Sequence, residues 1–254
     1  MNERARQKLI LALDFPTLEP ALELAQSLSS VVGIFKINIH LFTAEGPRAV
    51  RELGQLGPGI FLDLKFHDIP NTVKGAVSSA VGLGGVQLLD IHALGGFEMM
   101  RAAAKARDEA KAAKLPVPKL LAITILTSMD NAALRGVGIA GAASKRVVQL
   151  ARLAKKSGMD GVVASPQEVR AIRRACGKDF LIVAPGIRPE VGVGPAAKRK
   201  TGKTDDQARV ATPAAAIRAG ADYLVVGRPI TGAPDPDAAA RAILEEISSA
   251  LPRK

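Results

Sequence analysis

Short, nearly continuous apolar runs recur along the chain, each followed by a polar turn and then by a segment whose apolar residues repeat at helical spacing. Eight runs read as strands: Leu9–Asp14, Gly33–Asn38, Ile60–Phe66, Leu88–Ala93, Leu120–Leu126, Gly161–Ser165, Leu181–Gly186 and Tyr223–Arg228. They lack the polar alternation of a half-solvated strand, as strands of a parallel sheet do when both faces are covered. Helical spacing occupies Leu18–Leu28, Thr43–Leu53, Asn71–Leu83, Phe97–Ala113, Ser144–Lys156, Gln167–Ala175, Pro213–Ala219 and Pro236–Leu251. In the first of these, Leu18, Ala21, Leu22, Ala25 and Leu28 share one stripe. Thr17 and Thr212 stand where N-caps are expected, the latter before Pro213. Eight strand–helix alternations with right-handed crossovers predict an α/β protein, a single-domain (β/α)8 TIM barrel over residues 1–254. An open doubly wound sheet has the same local pattern, and periodicity does not separate the two. One stretch breaks the rhythm: about 191–207, rich in Gly, Lys and Arg, reads as a basic loop inserted after the seventh strand.

Composition narrows the class. With 48% apolar and 23% charged residues, the 254-residue chain is globular rather than disordered. Cys176 is the sole cysteine, so neither an intramolecular disulfide nor a cysteine-rich metal site is available. The apolar run Leu120–Leu126 falls far short of the ~18 residues a membrane span needs. Near the N-terminus, Leu9–Leu13 is too short for the core of a signal peptide. A soluble, cytoplasmic protein with no membrane partner is expected. The net charge of +11 calls for an anionic partner. Aromatic residues make up only 3% of the chain, too few for base-stacking platforms. Cations such as Arg101, Lys105, Arg107, Lys111 and Lys114 are spread along a helix, which reads as a solvated face rather than a nucleic-acid surface.

Barrel proteins carry their reactive groups at the C-terminal ends of the strands. Here those ends hold Asp14, Lys36 with Asn38, Asp63 with Lys65, His92, Thr127 with Ser128, Ser165, Arg188 and Arg228. The densest cluster is the decapeptide Asp63-Leu-Lys-Phe-His-Asp-Ile-Pro-Asn-Thr72. Alternation along a strand sends Asp63 and Lys65 the same way, while Asp68 falls beyond the strand. A catalytic charge array and a structural ion pair in the barrel interior both fit that spacing. Three other signals carry less. Gly136-Val-Gly-Ile-Ala-Gly141, with Asp160 some way on, matches the dinucleotide-binding pattern in letters, but a helix-like stretch, Asn131–Arg135, stands where the preceding strand is required. His40, His67 and His92 are too few and too widely spaced for a metal site, and Cys176 has no histidine nearby in the sequence.

From Leu9 through Ile230 the chain resembles the bacterial type of the orotidine 5′-phosphate decarboxylase family. The resemblance is carried by Leu-Ala-Leu-Asp at 11–14, Phe-Lys-Ile at 35–37, the 63–72 decapeptide, Leu-Thr-Ser at 126–128, Pro-Gly-Ile-Arg at 185–188, Asp-Gln-Ala-Arg-Val at 206–210 and Val-Gly-Arg-Pro-Ile at 226–230. It implies a decarboxylase, free of cofactor and metal, that converts orotidine 5′-phosphate to UMP with a Lys–Asp–Lys–Asp array. The matching positions are Lys36, Asp63, Lys65 and Asp68, with Lys65 as proton donor to C6 of the pyrimidine. Asp14 and Lys36 would meet the ribose hydroxyls, Thr127 and Ser128 the pyrimidine edge, and Arg188, Gln207, Gly227 and Arg228 the phosphate. A homodimer is implied too, with Asp68, Ile69 and Thr72 serving the neighbouring subunit's site. The separation of Arg188 from Gln207 exceeds what is usual in the family, so Gly192–Thr204, with Lys198, Arg199, Lys200 and Lys203, resembles an insertion.

The chemistry favours these assignments independently. Loss of carbon dioxide from C6 leaves a localised sp² carbanion, which a fixed ammonium stabilises and then protonates. Repulsion between Asp63 and the substrate carboxylate is a smaller effect: two unit charges ~4 Å apart at an effective dielectric of about 20 interact by ~4 kcal/mol. That is worth at most about a thousandfold in rate. A nearby alternative is a metal-using member of the same superfamily, of the 3-keto-gulonate-phosphate decarboxylase or hexulose-phosphate synthase type, which would want a carboxylate near the second strand, where this chain has Lys36. A basic nucleic-acid-binding barrel without catalysis is a third reading, supported only by net charge.

Overall fold

The computed structural model describes residues 2–189 and 210–252. Eight parallel strands close in sequence order into a barrel: β1 (Leu9–Ala12), β2 (Ile34–Asn38), β3 (Gly59–Phe66), β4 (Val86–His92), β5 (Lys119–Ile123), β6 (Gly161–Val163), β7 (Leu181–Ala184) and β8 (Tyr223–Val226). β8 pairs back onto β1 through Leu9–Leu224 and Leu11–Val226, so the sheet has no edge and the open alternative is excluded. Strand residues face two cores in turn. One set, including Leu9, Leu11, Phe35, Leu62 and Leu89, packs outward against the helices. The other fills the interior with Ile10, Ala12, Ile34, Phe61, Leu88, Leu121, Val183 and Val225.

Several expected boundaries move. Most strands stop short of their expected C-terminal residues: Asp14, Leu126, Ser165, Gly186 and Arg228 lie in loops or helix starts. Arg228 opens a four-residue helix, Arg228–Thr231, rather than ending β8. The expected helix Thr43–Leu53 is two helices, Ile39–Glu45 and Pro47–Gly54, broken at Gly46 with φ 59°. Glycine takes that angle without steric cost, and Pro47 then restarts a helix, lacking the N–H that would have continued the first. Thr17 precedes Leu18–Leu28 without capping it through its side chain; Glu45 accepts from Leu18 N instead, at 3.1 Å. Thr212 does cap its helix, accepting from Ala215 N at 3.2 Å. An extra helix at the start, Glu3–Arg6, is tied to the last one, Pro236–Ala250, by Asn2 Nδ2 donating to Ser248 Oγ at 2.7 Å. The basic stretch at about 191–207, with Gln207, lies outside the described residues.

Opposite the site, one device closes the sheet twice. Asp160, just before β6, accepts from Leu120 N of β5 at 2.9 Å while Arg107 and Lys119 neutralise it. Asp222, just before β8, accepts from Ile182 N of β7 at 2.8 Å and pairs with Arg173 at 2.7 Å. Each carboxylate thus satisfies a strand N–H that the ladder leaves over. Asp160 is therefore a staple of the barrel floor, and the glycine run 136–141 begins at the end of the helix Asn131–Gly136 with no strand before it, so the dinucleotide pattern is a coincidence of letters. Asp160→Ala leaves the Leu120 N–H without its acceptor and takes one partner from Arg107, which keeps Asp108 and Gly158 O, and should cost about 2–4 kcal/mol. The expected fall in melting temperature is about 5–10 °C. Activity measured well below the transition should be unchanged.

Candidate active site

Alternation by two along three neighbouring strands builds the site. Ile34, Phe61 and Leu88 point into the barrel, so Lys36, Asp63 and Asp90, two residues further on, enter the same interior nearer the C-terminal mouth. All three are buried: Lys36 and Asp63 are each 7% exposed and Asp90 is fully enclosed. Above them opens a cavity of about 390 Å³, lined among others by Asp14, Asn38, Lys65, Thr127, Ser128, Arg188, Gly227 and Arg228.

Charges alternate across the floor. Lys36 Nζ lies 3.1 Å from Asp14 Oδ1 and 2.9 Å from Asp63 Oδ2, and the other oxygen of Asp63 accepts from Lys65 Nζ. Burial would depress the Lys36 ammonium, but attraction to Asp63 and Asp14, with hydrogen bonds to both, outweighs it and raises its pKa above the lysine range. Burial would likewise push the Asp63 carboxyl up; the Lys36 charge, a hydrogen bond with Asp90 and the Lys65 ammonium hold it well below the carboxylate range instead. Asp90 is driven the opposite way, chiefly by burial and then by the neighbouring Asp63.

Lys65 owes its place to an irregularity in β3. Leu62 pairs with Leu89 and Phe66 with Ile91, so β3 spends four residues where β4 spends two. Within that bulge Lys65 takes φ 51°, the left-handed region, which costs a non-glycine residue about 1–2 kcal/mol. Its N–H then donates to Asp90 Oδ1 at 2.7 Å. Simple alternation, the basis for expecting Asp63 and Lys65 on one face, fails locally here, yet the ion pair forms and both line the cavity.

The remaining expected residues divide. Asp14, Lys36, Asp63, Lys65, Thr127, Ser128, Arg188, Gly227 and Arg228 all line the cavity. Asp68, Ile69 and Thr72 do not; they are exposed beyond β3, with Ile69 67% accessible and Asp68 Oδ1 accepting from its neighbour Ile69 N at 2.6 Å. Gln207 lies outside the described residues. Arg188 is fixed by its N–H to Ala211 O at 2.9 Å and by Nη1 to Ile187 O at 3.0 Å. A Cβ on Gly227 would meet Ala12 and Asp14 only at ordinary contact distances, 3.4 and 3.7 Å. Glycine there leaves the cavity wall bare. Asp90 is the residue the sequence reading missed, though a lone carboxylate inside the apolar run Leu88–Ile91, in phase with the interior, was the signal available.

A closed parallel barrel with its charged cavity at the C-terminal strand ends belongs to the TIM-barrel class. Within that class, the chain belongs to the orotidine 5′-phosphate decarboxylase / HUMPS family, whose model matches residues 7–243. It is 51% identical over 246 residues to the orotidine 5′-phosphate decarboxylase of Geobacter sp. (strain M21), covering 97% of this chain and 98% of that protein. It is 53% identical over 245 residues to that of Moorella thermoacetica, covering 96% and 93%. The crystal structure of orotidine 5′-phosphate decarboxylase from Lactobacillus acidophilus superposes with a TM-score of 0.77 at 38% identity, over 94% of this chain and 98% of that one.

Beside the cavity, the rings of His67 and His92 stack with centroids 5.2 Å apart, and His92 Nδ1 accepts from Leu94 N at 3.3 Å. Burial, with His67 and Lys65 nearby, lowers the His92 pKa from 6.5 to about 4. At His92 the folded protein thus refuses a proton that the unfolded chain accepts, so this residue's contribution to stability is full above pH 6.5 and declines as pH falls toward 4, while Asp90, shifted upward, works in the opposite sense over the same interval. Asp63, depressed below its unfolded value, adds its own loss only under more acidic conditions. As pH is lowered across that interval, urea midpoints should fall in the wild type relative to His92→Gln; parallel slopes would refute the assignment.

Proposed function

We propose that this chain decarboxylates orotidine 5′-monophosphate to UMP and carbon dioxide, a reaction of de novo pyrimidine biosynthesis, in the cytoplasm. The observation that carries the reading is the Lys65 ammonium held on Asp63 at the cavity floor, with Lys36 bonded to the far side of the same carboxylate. Departure of carbon dioxide leaves an electron pair in the plane of the ring at C6, where conjugation cannot spread it. A pre-placed cation lowers the energy of that charge as it develops and supplies the proton that replaces the carboxylate. Asp63 holds the Lys65 side chain in position through their ion pair, and repels the substrate carboxylate by a lesser amount.

The ribose hydroxyls fit the Asp14–Lys36 pair, and the pyrimidine edge fits Thr127 and Ser128 on the opposite wall. Arg188, the bare wall at Gly227, and Arg228 suit a phosphate dianion. Since the phosphate does not react, its binding energy is free to fix the ring over Lys65. We extend the reading to a homodimer in which the exposed Asp68, Ile69 and Thr72 complete the neighbouring subunit's site. A metal-using alternative is disfavoured by Lys36: its ammonium fills the point where the Asp14 and Asp63 carboxylates converge, so a divalent cation would have to displace it.

A spectrophotometric assay following loss of orotidine 5′-monophosphate tests this directly. Wild type should turn over with EDTA present, and Lys65→Ala should lose turnover while still binding UMP; EDTA-sensitive activity, or an active Lys65→Ala, would overturn the mechanism. Arg228→Ala should reduce kcat/KM by about ten- to a hundredfold, the worth of a charged hydrogen bond to phosphate. Sedimentation of wild type should show a dimer.

A further inference from the structure

Asp90 belongs to no role described so far, yet it is the most enclosed carboxyl group of the site. Oδ1 accepts from the Lys65 N–H at 2.7 Å. Oδ2 is buried and meets no N–H or hydroxyl donor among the described residues. The Asp90 carboxyl lies against the carboxyl of Asp63. Two buried carboxylates cannot both stay charged side by side, and Asp63 is already held as the anion by Lys36 and Lys65. A proton on Asp90 resolves both problems. It gives Oδ2 a donor, satisfies an otherwise orphaned atom, and adds a third hydrogen bond to the Asp63 carboxylate.

We propose that Asp90 is a positioning residue for Lys65: as a neutral acid it accepts from the Lys65 backbone N–H and donates to Asp63, so that one side chain fixes both ends of the Lys65–Asp63 pair. The backbone end is the one that needs fixing. Lys65 lies at φ 51° inside a bulge, where its N–H has left the regular ladder with β4. Without an acceptor at Asp90 Oδ1, that N–H would be buried unpaired and the bulge free to relax, which would swing the ammonium away from the cavity floor. The groups facing Asp90 agree with a neutral state. From β3 they are Asp63 and Lys65; β5 presents apolar Leu121 at the paired position, with Lys119 at the distant start of that strand; on β4 itself, His92 is held neutral.

The inference rests on the decarboxylase reading for its kinetic arm only. Asp90→Asn keeps the geometry of a neutral acid, since the amide accepts at Oδ1 and donates from Nδ2, whereas Asp90→Ala removes both bonds. The expectation is that Asp90→Asn keeps kcat close to wild type, while Asp90→Ala loses about a hundredfold in kcat, as misplacement of a reacting group does, with KM little changed. Equal losses in the two variants would mean that a charged Asp90 is needed, and equal retention that no positioning is needed; either overturns the proposal. The second arm is independent of turnover and of whether Asp90→Ala folds. In wild-type protein carrying 13C-labelled aspartate, the carboxyl signal that vanishes in Asp90→Asn should sit at the neutral-acid position at neutral pH. A carboxylate shift there refutes the neutral bridge even in a fully active enzyme, and a neutral-acid shift in a protein inert toward orotidine 5′-monophosphate would sink the decarboxylase reading instead.

Discussion

The site depends on one carboxylate being kept ionised where solvent cannot do so. Asp63 is buried, and burial alone favours its neutral form; two ammonium groups, Lys36 from the neighbouring strand and Lys65 from its own, reverse that preference. Desolvating several charges together costs several kcal/mol per ion, which their mutual attraction repays only when the geometry is close. The three side chains therefore stand or fall as a unit. Removing one leaves an unbalanced charge rather than a smaller network. This is why the array is placed on strands of a closed barrel rather than on loops: β2 and β3 are locked by their ladder, and their interior positions are set by a period of two.

The same regularity cannot build the whole site. A strict strand would carry Lys65 past the cavity in step with Asp63, whereas the bulge between Leu62 and Phe66 turns it back onto Asp63. Backbone strain at Lys65 is thus the local cost of an ion pair between residues only two apart in sequence, and the packed layer of Phe61 and Leu88 beneath gives the bulge a rigid base. Stability is gathered at the opposite end of the barrel, where Asp160 and Asp222 staple β5 and β7 to the starts of their neighbours, away from the cavity mouth. That separation lets the C-terminal face hold its orphaned atoms and strained backbone while the sheet below remains closed.

Much of this was legible in the sequence, because the barrel rests on periodicity and the cavity on strand ends. Eight apolar runs marked the eight strands, and Asp14, Lys36, Asp63, Lys65, Arg188 and Arg228 stood where a barrel puts its chemistry. The misreadings share a cause: local pattern does not report what a neighbouring element supplies. Thr17 looked like a cap, but Glu45 from another helix took the bond. Thr43–Leu53 looked continuous, but φ at Gly46 divided it. Asp90 was passed over because a single charge within an apolar run looks like noise until its register places it against Asp63. Asp68, Ile69 and Thr72 carry a different lesson, since the chain displays them at the surface, away from the cavity that Asp63 and Lys65 of the same decapeptide line.

A barrel of this kind does not choose its chemistry; the few side chains at the mouth do. Here the choice turns on what stands between Asp14 and Asp63. Two carboxylates converging on one point are an invitation to a divalent cation, and a barrel so equipped would be suited to holding an enediolate through the metal. Lys36 answers the same electrostatic demand covalently, with its ammonium 3.1 and 2.9 Å from the two oxygens. A tethered charge of that kind steadies Asp63, but it offers no vacant coordination positions to two substrate oxygens. On the proposed reading the array suits a reaction in which negative charge appears at a single atom and is met by a single ammonium, as loss of carbon dioxide from C6 requires and an enediolate does not.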